Sequence, residues 1–320
     1  MTQVDTSSAA DFADVTEPHR RELLAHCYRM LGSVDEAEDL VQETYLKAWR
    51  ARDEFEHRSS IRTWLYRIAT NSCLSALRRH DRRVLPSGLG TAEEEALWVQ
   101  LIPDGLIVGE SGDDPAEASV ARESVRLALI ACVQHLPPLQ RAVFLLREVL
   151  EFKASEVAHI LGSSTPAVKS ALQRARTRVQ DLDPSVLTAE VPSALEEREL
   201  LDAFITAFET ADIETFTRLL SSDAALEIPP STTWYSGLAA CLPVLERAVG
   251  RPGDWVLVPS AANGQPAAAS YRRDADGVYR AFGAAVLTVD GSRIVRIVSY
   301  DDASLVSRFG LPAVHSGAVR

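Results

Sequence analysis

Arginines and large aromatic residues share one short stretch, SSIRTWLYRIATNSCLSALRRHDRR, which runs from Ser59 to Arg83. Arginine side chains anchor phosphates, and an aromatic face that stacks on an unpaired base contributes about 1 to 3 kcal/mol. Between Glu56 and Arg83, seven arginines stand against two acidic residues. The stretch therefore predicts a local nucleic-acid surface, although its apolar spacing is also typical of an ordinary amphipathic core helix.

A second basic stretch, FKASEVAHILGSSTPAVKSALQRARTRV, predicts a helix, a turn at Gly162 and a second helix. The second helix should begin at Thr165 and Pro166, because Thr caps free amides and Pro needs no amide donor at the first position. A helix-turn-helix docks such a helix in the major groove, where Arg, Lys and Gln reach base edges. For this motif alone, a helical hairpin with a solvated basic face is an equal alternative.

The bulk composition is that of a soluble globular protein, with 46% hydrophobic and 24% charged residues. The polar first residues and the lack of any apolar run of membrane length lead us to expect a cytoplasmic protein without membrane contact. The four cysteines lie far apart, so no disulfide framework, metal cluster or other cofactor is expected. A net charge of -12 argues against tight unaided binding to bulk DNA. Any nucleic-acid surface must therefore be local.

Four segments follow one another along the chain: DEAEDLVQETYLKAW, IRTWLYRIATNSCLSALRR, LPPLQRAVFLLREVLEFKASEVAHILG and AVKSALQRARTRV. In this order and spacing, residues 17–182 resemble an extracytoplasmic-function (ECF) sigma factor. In that family the first helical module binds core RNA polymerase and melts the minus-10 promoter element, and the second reads the minus-35 element. The implied partners are promoter DNA and core polymerase, at its largest-subunit clamp and its flap.

The resemblance assigns three sets of contacts to positions of this chain. Polymerase binding falls on Asp35, Glu36, Glu38, Asp39, Gln42 and Glu43. Minus-10 contacts fall on Arg58, Arg62, Trp64, Arg67, Asn71, Arg78, Arg79, Arg82 and Arg83. Minus-35 contacts fall on Thr165, Lys169, Ser170, Gln173, Arg174 and Arg176. Trp64 keeps two interpretations, since its helical position also suits a core residue.

Breaker-rich and acidic stretches separate the modules. Between Pro86 and Val125, nine acidic residues stand against one basic residue, and PSGLG, IPDG and ESGDDP are turn signals, so this part should be a mostly irregular linker. It resembles the family's connector through the polymerase cleft, and we hypothesise that its acids mimic RNA phosphates. The expected boundaries are a tail at 1–16, the first module at 17–85, a linker at 86–120, the second module at 121–183, a linker at 184–193, a third module at 194–312 and a tail at 313–320.

From Ala194 the pattern changes to amphipathic helices followed by strands, which are separated by NG, DADG and DG turns. Helices followed by a curved antiparallel sheet resemble the SnoaL-like α+β cone. The segments WYSG, NGQPA and SYDDASLVSRFGLP resemble the C-terminal extension that a group of ECF sigma factors carries. That resemblance implies a regulatory domain in contact with the sigma modules. The predicted fold is thus multidomain, with two all-α helical modules, the second a helix-turn-helix, and an α+β cone.

The third module leaves other functions open. SnoaL-like folds also host proton-transfer enzymes, which need a carboxylate in an apolar pocket. Candidates for a pocket that binds an unknown small ligand are Glu227, Trp234 and Tyr235. Fold alone does not license an activity, and we do not expect an enzyme. The alternatives to a sigma factor are an isomerase or cyclase fused to a DNA-binding arm, and a helix-turn-helix repressor that binds DNA without polymerase.

Overall fold

The computed structural model describes residues 12–55, 59–78, 83–84, 97–108, 122–182 and 193–317. The chain forms two compact units. We call Met1–Arg83 with Leu106–Thr188 the helical unit, and Val84–Gly105 with Ala189–Arg320 the sheet unit. No helix within the described ranges is long and apolar enough to cross a membrane.

Three helices form the first part of the helical unit: α1 (Arg20–Leu31), α2 (Val34–Arg50) and α3 (Ile61–Ala76). Gly32 ends α1 in the left-handed conformation, with a φ of 70°. Ser33 and Ser60 begin the next two helices, because each side-chain oxygen accepts a hydrogen bond from a backbone amide three residues later. These local signals place α3 and its arginines on a defined helix.

The second part of the helical unit contains α4 (Leu127–Gln134), α5 (Pro138–Phe144), α6 (Ala154–Ile160) and α7 (Thr165–Leu182). Gly162, with a φ of 59°, forms the predicted turn between α6 and α7. The cap of α7 differs from the expectation. The Ser164 hydroxyl, not that of Thr165, accepts the amide of Ala167, and Thr165 is already the first helical residue.

The predicted apolar stripes are only partly the buried ones. Helical spacing predicts a buried stripe in each helix: Leu23, Leu24, Cys27, Tyr28 and Leu31 in α1, and Ile61, Leu65, Ile68, Ala69, Cys73 and Leu77 in the helix after Ser59. The α1 stripe is buried, but Ile61, Ile68 and Leu77 are half-buried, and Tyr66 and Thr70 are buried instead. The reason is that α3 packs against α1 on one side and against α6 on another, so its buried face is wider than one stripe.

The sheet unit follows the predicted order of helices and strands. Its helices are α8 (Ala194–Glu209), α9 (Ile213–Leu219), α10 (Leu238–Val249) and α11 (Ser304–Arg308). A small sheet pairs β1 (Arg83–Val84) with β2 (Leu97–Trp98). The large sheet contains β3 (Leu220–Glu227), β4 (Trp234–Ser236), β5 (Trp255–Ala262), β6 (Gln265–Arg273), β7 (Tyr279–Asp290), β8 (Arg293–Tyr300) and β9 (Val314–His315).

Strand order in the large sheet is β4-β3-β8-β7-β6-β5, with β9 paired to the start of β7. The β3 and β8 strands run parallel, and the other pairs are antiparallel. One face packs under α8, α9 and α10, where Phe204, Phe216 and Trp255 are buried with Leu226 and Leu287. The opposite face is partly covered by α11. We call these the helix-covered face and the second face.

Candidate nucleic-acid interface

The predicted minus-10 residues of α3 differ in their exposure. Arg67, Asn71 and Arg78 are exposed, and the Asn71 amide donates to the Arg67 carbonyl at 2.8 Å. Trp64 is half-buried, with its ring 4.8 Å from the Phe55 ring, so it is neither a core residue nor a free one. Outside the described residues lie Arg58, Arg79 and Arg82, and nothing is described of the Arg83 side chain.

Arg62 is half-buried and contacts three protein side chains. Its Nε donates to the Glu22 carboxylate at 2.8 Å, and its guanidinium lies 5.1 Å from the Tyr66 ring centroid and 4.7 Å from that of Phe152. Burial disfavours the charge, but the interactions with Tyr66 and Glu22 outweigh it, so the pKa of Arg62 is raised. Arg62 is therefore a cation held on α3 by Glu22 of α1 and by Phe152, which lies two residues before α6.

The acidic residues of α2 form a surface opposite its buried side, where Val41, Thr44 and Ala48 pack. Asp35, Asp39 and Gln42 are exposed, and Glu43 pairs with Lys47 at 2.7 Å. Half-buried acids flank this surface at Glu36 and Glu38. Leu46 lies one turn after Gln42 on the same face and is 57% exposed. The face thus combines negative charge with one exposed apolar side chain.

On α7 the predicted division into an inner and an outer side is present. The inner residues are buried: Val168, Ala171, Leu172, Ala175 and Val179. Lys169, Ser170, Gln173 and Arg174 are exposed, and Thr165 is half-buried at the start of the helix. Sequence reasoning missed Thr177, which is exposed one turn after Gln173 on the same face. This face is polar, mostly uncharged at its centre and basic at its margins.

Arg176 differs from the other basic residues of α7. Its guanidinium makes a two-pronged contact with the Glu148 carboxylate, with distances of 2.9 and 3.2 Å. Such a paired geometry fixes the arginine and ties α7 to the turn that follows α5. Arg176 is therefore exposed like Lys169 and Gln173, but its guanidinium is oriented by Glu148.

The three residues expected to form a pocket in the sheet unit do not share one face. Strand register pairs Leu226 with Tyr235, and both lie on the helix-covered face. Glu227 pairs with Trp234 and, by the alternation of strand side chains, points to the second face. There Glu227 is fully buried and contacts Arg296 at 3.1 Å, while Trp234 is 43% exposed. The buried carboxylate is thus paired with an arginine.

Part of the expected irregular linker is built into the sheet unit. The side chains of Val99, Leu101 and Ile102 are fully buried. The Ile102 amide donates to Asn263 Oδ1 at 3.1 Å, and the Asn263 amide donates back to the Ile102 carbonyl at 2.9 Å. The Tyr300 hydroxyl donates to the Val99 carbonyl at 2.7 Å. We call residues 97–105 the docked linker segment.

The docked linker segment depends on the tight turn between β5 and β6. Asn263 and Gly264 both have positive φ, at 55° and 63°, as the NG pair of a two-residue hairpin requires. In that conformation the Gly264 amide donates to the Asp104 carboxylate at 2.8 Å. The NGQPA segment, singled out by resemblance, thus forms the turn that holds the linker.

Comparison with known proteins assigns the modules. Family models match at residues 15–83 (Sigma-70 region 2), 126–179 (Sigma-70, region 4) and 201–297 (SnoaL-like domain). The ECF RNA polymerase sigma factor SigG of Mycobacterium tuberculosis is 46% identical over 94% of this chain and 84% of its own length. The chain belongs to the ECF sigma factor family. The probable sigma factor SigI of the same organism is 30% identical over 93% of both chains.

Among solved structures, the crystal structure of the M. tuberculosis sigma factor SigJ has a TM-score of 0.61, with 92% of this chain and 98% of that chain covered. Its sequence identity is 23%, so this likeness concerns the fold. It extends over the sigma regions and the SnoaL-like domain together. The multidomain fold expected from the sequence is confirmed.

Regions 2 and 4 of this sigma factor share a buried polar contact that sequence reasoning missed. Arg141 of region 4 donates to the Met30 carbonyl at the end of α1, and to Gln134 Oε1 at 2.6 Å. Gln134 in turn donates to the Arg29 carbonyl at 3.1 Å. Arg29 donates through Nε to the Ser124 carbonyl at 3.0 Å. Side chains of region 4 thus satisfy carbonyl groups that the end of a region 2 helix leaves free.

The missed residues carry little sequence signal. Arg29 and Arg141 are 3% exposed, yet an arginine in an amphipathic helix is normally assigned to the solvated side. Burial lowers the pKa of Arg29 to about 10, which still leaves it charged at neutral pH. No signal in the sequence pairs α1 with α5, because the contact joins residues far apart in the chain. Within the described part of this sigma factor, no cluster of His, Cys, Asp and Glu side chains could hold a metal ion.

Proposed function

We propose that this chain binds core RNA polymerase and directs promoter-specific transcription initiation, under the control of its own SnoaL-like domain. The observation that carries the proposal is the pair of outward basic or polar helix faces on α3 and α7, in a chain 46% identical to SigG. Exposed basic and polar helix faces of this kind can contact DNA phosphates and bases. Because the net charge of the chain is -12, polymerase must supply most of the affinity for promoter DNA. The location in the cytoplasm that we expected belongs to the same proposal.

Each face has its own role in this proposal. The acidic face of α2, with Leu46 at its end, binds a basic surface of the polymerase clamp, and region 4 binds the flap. At the melted minus-10 element the contacts come from Arg58, Arg62, Trp64, Arg67 and Asn71. Near the duplex backbone lie Arg78, Arg79, Arg82 and Arg83. Lys169, Ser170, Gln173 and Arg174 read the minus-35 element. Arg176 orients α7 through Glu148, and Thr165 lies where the helix enters the groove.

The docked linker segment supports control by the SnoaL-like domain. The family's connector follows the polymerase cleft, and a segment whose apolar side chains are buried in the sheet unit cannot follow that path at the same time. Release of residues 97–105 from the sheet unit is therefore a step of activation. Phosphate mimicry by the linker acids falls on residues outside those the structure describes, among them Glu93 and Asp113.

Catalysis by the SnoaL-like domain is not part of the proposal. A general base needs a carboxylate free to take a proton, whereas Glu227 contacts Arg296 and lies on the opposite face from Tyr235. A small ligand on the second face would have to bind beside this ion pair.

The proposal is tested by run-off transcription with core polymerase. The full chain should give a promoter-dependent transcript, and Gln173→Ala should lower it about tenfold, since one good base contact is worth about 1 to 3 kcal/mol. Gln180→Ala, an exposed glutamine two turns further along α7, is the matched control and should change it little. Absence of any promoter-dependent transcript with wild-type protein would remove the proposal.

Control by the docked linker segment has its own test. Asn263→Gly keeps the positive φ of the turn but removes the oxygen that accepts from Ile102. Hydrogen exchange in residues 97–105 should rise about tenfold, because one buried hydrogen bond is worth about 1 kcal/mol, and transcript yield should rise with it. Ser292→Gly, in the exposed turn before β8, is the control. If hydrogen exchange in residues 97–105 became faster and the transcript yield stayed unchanged, docking of the segment would not control transcription.

A further inference from the structure

Lys47 is a cation at the edge of the acidic face of α2. It follows Glu43 by one helical turn, and its ammonium contacts the Glu43 carboxylate at 2.7 Å. A basic partner surface that attracts the acids of this face would repel Lys47, because like charges at short distance raise the energy of the complex. A cation beside an expected polymerase contact therefore needs an explanation within the chain.

The second contact of Lys47 gives that explanation. Its Nζ also donates to the Ser72 hydroxyl at 2.9 Å, and this bond joins α2 to α3. Ser72 is 5% exposed, whereas the Lys47 side chain is 47% exposed. An ammonium carries three N–H donors, so it can serve both oxygens at once. One ammonium thus reaches from the solvent side of α2 into the interface between the two helices.

Ser72 lies where a small rotation of α3 would change the expected DNA contacts. It directly follows Asn71, which is exposed and is an expected minus-10 residue. It directly precedes Cys73, which is fully buried in region 2. A hydrogen bond at Ser72 therefore restrains the rotation of α3 about its own axis at the point where core-facing and outward-facing side chains meet. The direction of the Asn71 side chain depends on that rotation.

We propose that Lys47 is a positioning residue that couples polymerase binding on α2 to the minus-10 contacts of α3. In the free chain the ammonium is shared between Glu43 and Ser72. When basic groups of the polymerase take the Glu43 carboxylate, they repel the ammonium, which keeps Ser72 as its protein partner. Polymerase binding and the placement of α3 then favour each other, as linked equilibria must. This inference rests on the proposed function, because it assigns the α2 face to polymerase and Asn71 to promoter DNA.

The experiment compares run-off transcription by the full chain with core polymerase on two templates that carry the same promoter. One template is ordinary duplex, and in the other the minus-10 element is held open by mismatched bases. Lys47→Met removes the ammonium but keeps most of the side-chain length, and Ser72→Ala removes its partner on α3. Lys47→Arg keeps a cation that can reach both oxygens. Arg21→Met is the matched control, because it removes an exposed cation of α1 outside the three assigned sets of contacts.

On the duplex template, Lys47→Met and Ser72→Ala should each lower the transcript yield about three- to tenfold, the effect expected for the loss of one hydrogen bond. On the open template both should lie within about twofold of wild type, because contacts to α3 no longer have to offset the cost of unpairing bases. The double variant should be no worse than Lys47→Met alone, since both substitutions remove the same contact. Lys47→Arg and Arg21→Met should match wild type on both templates.

Two results would overturn the coupling. The first is a wild-type yield from Lys47→Met on the duplex template. The second is an equal loss on both templates, which would mean that Lys47 acts in polymerase binding or in the stability of region 2 rather than in placing α3. If the wild-type protein gave no promoter-dependent transcript from either template, the proposed function would be wrong, and this inference would be wrong with it.

Discussion

At the scale of single residues, His26 is a histidine buried in the core of region 2. Its Nε2 shares a 2.9 Å hydrogen bond with the Thr70 hydroxyl, and its Nδ1 has no hydrogen-bond partner among the described residues. Burial, followed by the charges of Arg29 and Arg62, lowers the pKa of His26 to about 3. The imidazole is therefore neutral in the folded protein at any pH where the unfolded chain would begin to protonate it.

His26 should make the helical unit less stable as the pH falls. Between pH 6.5 and pH 3 the unfolded state binds a proton that the folded state does not, so the free energy of unfolding drops by about 1.4 kcal/mol per pH unit. At pH 5 the loss is about 2 kcal/mol relative to neutral pH. Urea midpoints at pH 7 and pH 5 check this. In His26→Gln the midpoint should change little between the two pH values, and in the exposed control His159→Gln it should fall as in the wild type. The same fall in all three proteins would contradict this prediction.

The thiols give a second residue-scale prediction. Cys27 and Cys73 lie on adjoining helices and are fully buried, and the contact with Cys27, together with burial, raises the pKa of Cys73 well above its ordinary value. Because both side chains are fully buried and out of reach of a reagent, neither should react with an aromatic disulfide reagent at pH 8 in the folded protein. All four cysteines should react once the chain is unfolded in urea. Rapid reaction before unfolding would show that this core opens.

At the scale of elements, Gly283 fixes how β7 meets β8. A Cβ at this position would lie 2.0 Å from the Tyr300 carbonyl oxygen, which belongs to the backbone and cannot swing aside. Gly283→Ala should therefore lower the free energy of unfolding of the sheet unit by about 3 kcal/mol or more, as strained core changes do. Gly105→Ala, where nothing lies within 4 Å, is the control and should be nearly neutral in thermal melting. If Gly283→Ala and Gly105→Ala melted at the same temperature, β7 would be able to move away from the Tyr300 carbonyl and the prediction would be wrong.

The elements differ in how far the sequence alone predicts them. The inner stripe of α7 and the strands β5 to β8 follow from local periodicity and turn residues, and they are as expected. The short strands β4 and β9 were not predicted, and β9 lies in the stretch 313–320 that was expected to be a tail. The parallel pairing of β3 with β8 and the docking of Val99 join residues far apart in the chain, which periodicity does not see. Arg62 was rightly placed on α3, but its contact with the Phe152 ring involves another module. Contacts between modules therefore had to come from the structure.

At the scale of the whole molecule, the 45 acidic residues outnumber the 33 basic ones, so the net negative charge of the chain disfavours binding to DNA phosphates. The full chain alone should bind promoter duplex with a dissociation constant no tighter than about 10⁻⁶ M at 150 mM salt, the range of non-specific binding. Fluorescence anisotropy with and without core polymerase measures this. Nanomolar binding in the absence of polymerase would instead favour the repressor alternative.

The docked linker segment changes what a truncation would mean. A chain ending near residue 190 would lose the surface that buries Val99, Leu101 and Ile102, and each such side chain gains about 1.5 to 3 kcal/mol from burial. The shortened protein would carry a new apolar segment between its two sigma regions, which favours self-association. Its behaviour would then report the uncovered segment as much as the missing domain. Point substitutions that undock the segment while the domain stays in place are the cleaner comparison.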